Sequence, residues 1–158
     1  MHEVRAVRHE ADAVRAAIRD LPVTIVVNPD YALGQSTSIR AGLAAVSPDA
    51  VAAMVLLGDQ PGIRAGTIDA LLDAWPETGA PIVAPRYRDG IGNPVLFARR
   101  VFPELLAVEG DTGAKSVVAA HQRAGNLLLV PIDQPAPSDV DTPGDVSELS
   151  ASLALTED

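Results

Sequence analysis

The 158 residues contain no cysteine, which excludes disulfides and thiolate chemistry. Aromatic residues make up only 3% of the chain, so a core has to be assembled from Val, Leu, Ile and Ala. The three histidines, His2, His9 and His121, are scattered without the spacing of a metal-ligand set, and read as surface or capping residues. Basic residues are scarce: 12 Lys and Arg stand against 21 Asp and Glu, a net charge of -9. That balance lacks the basic footprint of a nucleic-acid binder. It leaves room for a nucleotide substrate, because a bound metal can supply local positive charge. No apolar run approaches the roughly 18 residues of a membrane span, and no charged start followed by an apolar stretch suggests a signal peptide. The expectation is a soluble cytoplasmic protein with neither nucleic acid nor membrane as partner. The length suits one domain over 1–158 with a sizeable core.

What is present is an alternation of short apolar runs with helical patterns. Residues 51–57 form an uncharged run that stops on Gly58-Asp59-Gln60-Pro61. Its shape predicts a strand buried on both faces of a parallel sheet. In such sheets ligands sit beyond the carboxyl ends of the strands, where Asp59 could hold a metal; it could equally cap the next helix or sit in a turn. Further strands are predicted over 3–7, 23–27, 81–85, 93–97 and 127–132, and residues 86–92 read as a polar loop. Helical spacing covers 10–19, with Val14, Ala17 and Ile18 on one face, and 63–75, with Ile68, Leu71, Leu72 and Trp75 on one face. Shorter helices are expected from about 36 to 46, at 104–107 behind Pro103, and at 116–123. A last helix should start at Thr142 and Pro143 and run through Val146, Leu149 and Leu153. Strands alternating with helices imply an α/β fold, a Rossmann-like, mostly parallel sheet with helices on both faces. No Gly-x-Gly-x-x-Gly occurs, which argues against a dinucleotide enzyme.

Several polar stretches carry two readings each. Gly34-Gln35-Ser36-Thr37-Ser38 leads into a helix and can cap it or offer N–H groups and hydroxyls to an anion. Arg40 can meet a phosphate or a surface carboxylate. Residues 109–116 lack the glycine before Lys115 that a P-loop requires, and Asp111 can simply be a turn residue. Asp145 is best read as complementing the dipole of the last helix.

Five stretches in order resemble one family: Asn28-Pro29 through Gly34-Gln35-Ser36-Thr37-Ser38-Ile39-Arg40-Ala41-Gly42, Leu57-Gly58-Asp59-Gln60-Pro61, Gly92-Asn93-Pro94-Val95-Leu96-Phe97, Gly110-Asp111-Thr112-Gly113-Ala114 and Asp139-Val140-Asp141-Thr142-Pro143. Together they are similar to the molybdenum cofactor cytidylyltransferase group of the MobA-like nucleotidyltransferases. The resemblance implies a nucleotide-diphospho-sugar transferase type of fold. It also implies transfer of CMP from CTP to the phosphate of the molybdopterin cofactor, with release of pyrophosphate and with Mg²⁺ as cofactor. Asp59 would be the first metal ligand and the catalytic carboxylate, with Asp139 or Asp141 supplying a second. Ser36 and Ser38 would contact the nucleotide, Gln60 would lie beside the metal and help choose the base, and Asn93 and Asp111 would face the acceptor. GTP in place of CTP, another phosphorylated acceptor, or an accessory role delivering the cofactor to a molybdoenzyme are the alternatives.

Members of that family open with a strand and a glycine-rich loop of the form Leu-Ala-Ala-Gly-x-Ser-x-Arg-Met-Gly, which holds the triphosphate. This sequence has no such segment, and its Met1 falls where the family enters its second strand. The expectation is that about one βα unit, roughly 30 residues, is missing, and that the 158-residue chain alone has weak or no activity.

Overall fold

The computed structural model describes residues 3–7, 11–142 and 144–147. In chain order the elements are β1 (Val4–Val7), α1 (Ala11–Ala17), β2 (Thr24–Val27), α2 (Gln35–Ala44), β3 (Ala52–Val55), α3 (Ala65–Thr78), β4 (Ile82–Tyr87), β5 (Gly90–Ile91), β6 (Val95–Ala98), α4 (Phe102–Leu106), α5 (Lys115–Arg123) and β7 (Leu127–Pro131). The described strands form two sheets. β1 and β2 pair in parallel, with Val4 opposite Thr24 and Val7 opposite Val27. The second sheet has the order β3-β6-β4-β5, and β7 also pairs with β4. The α/β alternation expected from the sequence is present.

The chain divides into two units. The first comprises Met1–Ala53, Gly79–Ile82 and Leu96–Leu128; the second comprises Met54–Thr78, Val83–Val95 and Leu129–Asp158. In the first, Phe97 and Leu105 are fully buried together with Ile82, Leu96, Val101 and Val117. In the second, Leu71, Val83 and Ala84 are fully buried, and Tyr87 is nearly so. As the composition requires, the two phenylalanines and Tyr87 are the only buried aromatics among the described residues, and branched aliphatics fill the rest.

Three expectations need correction. The run at 51–57 is not buried on both faces: only Ala52–Val55 is strand, all four residues are half-buried, and Val51 and Leu56 are exposed. β3 stands at the end of the strand order, so among the described residues it has a neighbour on one side only, and the strand buried at every residue is β6. Residues 86–92 are not a loop. β4 continues through Tyr87 and turns back at Arg88 and Asp89 into β5, antiparallel, with Arg86 opposite Ile91 and Tyr87 opposite Gly90. Arg86 is the one exposed residue of β4 and Tyr87 after it is buried again, and Gly90 at φ 140 completes the reversal. Finally, α1 buries none of its residues. Its sequence Ala-Asp-Ala-Val-Arg-Ala-Ala holds one large apolar side chain, Val14, too little area to anchor a face. The beginning of that helix at Glu10, His2, His9, Pro143, and the expected continuation of the last helix through Leu149 and Leu153 lie outside the described residues; 144–147 are helical. No helix among the described residues is long and apolar enough to cross a membrane.

Candidate functional site

In the second unit the chain leaves β3 through a turn, with the Gln60 N–H donating to the Leu57 carbonyl at 3.3 Å and the Ile63 N–H to the Gln60 carbonyl at 3.3 Å. Asp59 sits on this turn, half-buried. Its Oδ1 is buried and has no hydrogen-bond partner. Among the described residues only one other buried side-chain polar atom shares that condition, Nδ1 of His121. A buried carboxylate oxygen without a donor is costly unless a ligand or ion satisfies it.

Distant segments are tied to this turn. The Val140 N–H donates to the Asp59 carbonyl at 2.7 Å. Gln60 Nε2 donates to Asp139 Oδ1 at 2.7 Å, and Asn93 Nδ2 donates to Gln60 Oε1 at 3.1 Å. The Tyr87 hydroxyl donates to the Asn93 carbonyl at 2.6 Å, and burial pushes the Tyr87 phenol above its ordinary range. Four of the expected site residues, Asp59, Gln60, Asn93 and Asp139, therefore belong to one hydrogen-bonded set. Asp141 is exposed, and its N–H is given to Asp145 Oδ2 at 3.0 Å. Asp145 is the far half of a capping box: its Oδ2 also accepts from the Thr142 N–H at 2.8 Å, and its own N–H donates to Thr142 Oγ1 at 3.3 Å. The Thr142 N–H, the Thr142 hydroxyl and the Asp141 N–H hold the Asp145 carboxyl below its ordinary range.

In the first unit, Ser36 and Ser38 lie in the first turn of α2 behind Gly34. Ser36 is 1% exposed, closed off from solvent. Ser38 is half-buried and accepts from Asn28 Nδ2 at 3.0 Å. The same amide donates to Thr37 Oγ1 at 2.8 Å, while Asn28 Oδ1 accepts from the Asp30 N–H at 3.1 Å. Asn28, 3% exposed, is the hub that sequence reasoning missed. The available signal was local, since an Asn side chain readily accepts the backbone N–H two residues on in an Asx turn. No side chain caps α2, so simple capping does not account for the serine cluster. Gly34 has φ 110, and a Cβ there would meet the Gly110 carbonyl carbon at 2.5 Å and Asp111 Oδ1 at 2.8 Å. This close approach brings the exposed Asp111 to the start of α2, where a carboxylate faces the positive end of the helix. Arg40 is occupied elsewhere: its guanidinium donates to the Leu106 carbonyl at 3.2 Å and to that of Val108, acting as a cap on α4.

Among the described residues no three His, Cys, Asp or Glu side chains converge on one point. A divalent cation of the Mg²⁺ type needs only one or two carboxylates when substrate phosphates complete its shell, and the unpartnered Asp59 oxygen fits that role.

The architecture has known counterparts. The structure of CMP:2-keto-3-deoxy-manno-octonic acid synthetase complexed with CTP superposes with a TM-score of 0.75 over 99% of this chain and 82% of that one, at 12% identity; this is a likeness of fold, the mixed α/β type of the nucleotide-diphospho-sugar transferases. Rv0371c from Mycobacterium tuberculosis H37Rv, solved as a complex with manganese, superposes with a TM-score of 0.80 over 96% of this chain and 78% of that one, at 33% identity. The phosphoenolpyruvate guanylyltransferase of Sanguibacter keddieii is 34% identical over 135 residues, 80% of this chain and 45% of the relative. The chain spans about half the length of curated relatives that it matches. Residues 1–125 match the model of the MobA-like NTP transferase domain. With that match over most of its length, on a fold shared with nucleotidyltransferases, the chain belongs to the MobA-like NTP transferase domain family.

Proposed function

We propose that this chain carries part of a nucleotidyltransferase, which moves a nucleoside monophosphate from a nucleoside triphosphate to a phosphorylated acceptor and releases pyrophosphate. The observation that carries the reading is the buried, unpartnered Oδ1 of Asp59 at the carboxyl end of β3. Asp59 would hold Mg²⁺, with Asp139 as the second carboxylate and Asp141, two residues further on, as the alternative. The bound cation would neutralise charge developing on the transferring phosphate. Asp59 is delivered by a short strand and a tight turn, so its carboxylate keeps a fixed position with little reorganisation. Gln60 and Asn93 lie beside it, Ser38 would reach the nucleotide from the start of α2, and Ser36 would do so only if the first turn opened. Asp111 would face the acceptor.

The order of the five motifs favours CTP as donor and the molybdopterin cofactor as acceptor. A second reading, GTP as donor with phosphoenolpyruvate or a similar phosphorylated acid as acceptor, is favoured by the identity to a guanylyltransferase of that specificity. Pyrophosphate release, measured with CTP or GTP against either acceptor on a version extended by the family's glycine-rich opening unit, separates the two. Asp59→Asn, which keeps the shape and removes the charge, should lower Mg²⁺-dependent release on the order of a hundred-fold. Full release by that variant would overturn the metal role of Asp59, whereas cofactor binding with no release by the wild-type chain, even with the glycine-rich opening unit supplied, would favour an accessory role beside a molybdoenzyme.

A further inference from the structure

We propose that Gln60 is a positioning residue: its side-chain amide fixes the carboxylate of Asp139 as a partner for the metal held by Asp59, and does not select the nucleotide base. The inference rests on the metal reading of Asp59 given above.

The direction of the amide follows from chemistry. An ionised carboxylate only accepts hydrogen bonds, so the group facing Asp139 Oδ1 at 2.7 Å must be the Gln60 NH₂. Oε1 then faces Asn93 at 3.1 Å, which requires Asn93 to present its own NH₂. Each bond fixes the next, and the chain of donors ends on one oxygen of Asp139. A base-reading amide would have to offer its donor and acceptor edge to the ligand; here the acceptor and one N–H of Gln60 are already committed. Asn93 is itself held, because its carbonyl takes the Tyr87 hydroxyl at 2.6 Å.

The backbone shows what the amide adds. Val140 N–H to the Asp59 carbonyl, 2.7 Å, sets residues 139–140 against residues 59–60. That bond leaves the Asp139 side chain free to turn, and Asp139 is exposed. Gln60 supplies the missing constraint. It leaves the second carboxylate oxygen of Asp139 for a cation, on a segment pinned to the residue whose own oxygen lacks a donor. Outer partners that orient a ligating carboxylate commonly change metal affinity as much as some ligands do.

The test is a titration with Mn²⁺ alone, followed by the loss of the free-ion paramagnetic resonance signal. It compares the wild-type chain with Asp59→Asn, Gln60→Met, Asp139→Asn and the double variant Gln60→Met/Asp139→Asn. Methionine keeps the length of glutamine and removes the hydrogen bonds. Gln60→Met should weaken Mn²⁺ binding roughly ten-fold, Asp139→Asn should weaken it by a similar factor, and the double variant should be no weaker than Asp139→Asn. A purely structural role would not produce that convergence. Wild-type affinity in Gln60→Met beside lost binding in Asp59→Asn would overturn the inference and leave the metal reading standing. Losses that multiply in the double variant would also overturn it. Undiminished binding in Asp59→Asn, or no binding by the wild-type chain, would overturn the metal reading and the inference with it.

Discussion

Replacing Asn28 by Ala should be among the most destabilising single changes in the first unit. The side chain makes three hydrogen bonds, to Thr37 Oγ1 at 2.8 Å, to Ser38 Oγ at 3.0 Å and from the Asp30 N–H at 3.1 Å. At a net value of about 1 kcal/mol for each bond, the loss comes to about 3 kcal/mol. Water can replace part of it at Ser38, which is half-buried, but not at Thr37, which is 8% exposed. Thr37 Oγ1 would keep its contacts with the carbonyls of Gly34 at 2.8 Å and Asp30 at 3.1 Å, so its own proton stays placed and only an acceptor goes unused. The expected net cost is therefore about 2–3 kcal/mol. It is read from urea unfolding followed by far-ultraviolet circular dichroism, provided the slope of the transition is unchanged. Thr37→Val supplies the control. If the Asn28–Thr37 bond carries its share, the double variant should be less destabilised than the sum of the single ones by about 1 kcal/mol. A cost for Asn28→Ala below about 0.5 kcal/mol, or strict additivity in the cycle, would refute the hub.

The remaining expectations are narrower. Gly34→Ala combines φ 110 with a Cβ placed 2.5 Å from the Gly110 carbonyl carbon, so residues 110–111 must move away; a loss of about 2 kcal/mol or more is expected, and wild-type thermal stability would contradict the close approach. In a Tyr31→Phe background, ultraviolet titration should show Tyr87 ionising above 10.0, because burial disfavours the phenolate. Since the folded value is the raised one, this contribution is complete below 10.0 and disappears as pH rises through the folded value; ionisation at or below 10.0 would count against it. Asp145 has the opposite sign: its folded value lies below 3.8, so its contribution is present above 3.8 and disappears as pH falls through the folded value. The carboxyl carbon resonance of Asp145 reports this directly, and a midpoint at 3.8 or higher would remove the capping box from the account.

What the sequence made legible was chemistry confined to neighbours. Thr142 and Asp145 are three residues apart, and their mutual capping follows from spacing alone; the start of α4 at Phe102 and Pro103 is of the same kind. The hairpin at Tyr87 and Gly90 was hidden because Arg86, Arg88 and Asp89 gave the stretch the polarity of a loop, although Arg86 is the one exposed residue of a strand that is otherwise buried. The half-exposed state of β3 was not legible either, since apolar runs look alike wherever they stand in a sheet, and a strand's position depends on partners far along the chain. For the site, the motif order marked Asp59, Gln60, Asn93 and Asp139 along with Ser36, Ser38, Asp111 and Asp141. It did not reveal that Gln60 and Asp139, 79 positions apart, bond to each other, or that both amide N–H groups of Asn28 would be taken by α2. Both depend on where the polypeptide returns in space.

The place of β3 in its sheet also bears on how copies of this chain behave in company. Its outer side has no partner strand among the described residues, and it is flanked by the exposed apolar side chains of Val51 and Leu56. Such a margin is a template for unwanted self-association. Here the template is only four residues long, enough for few intermolecular ladder bonds, and each molecule carries a net charge of -9, which keeps copies apart in dilute salt. High salt screens that repulsion while leaving the apolar margin intact, so self-association through this edge should rise with ionic strength.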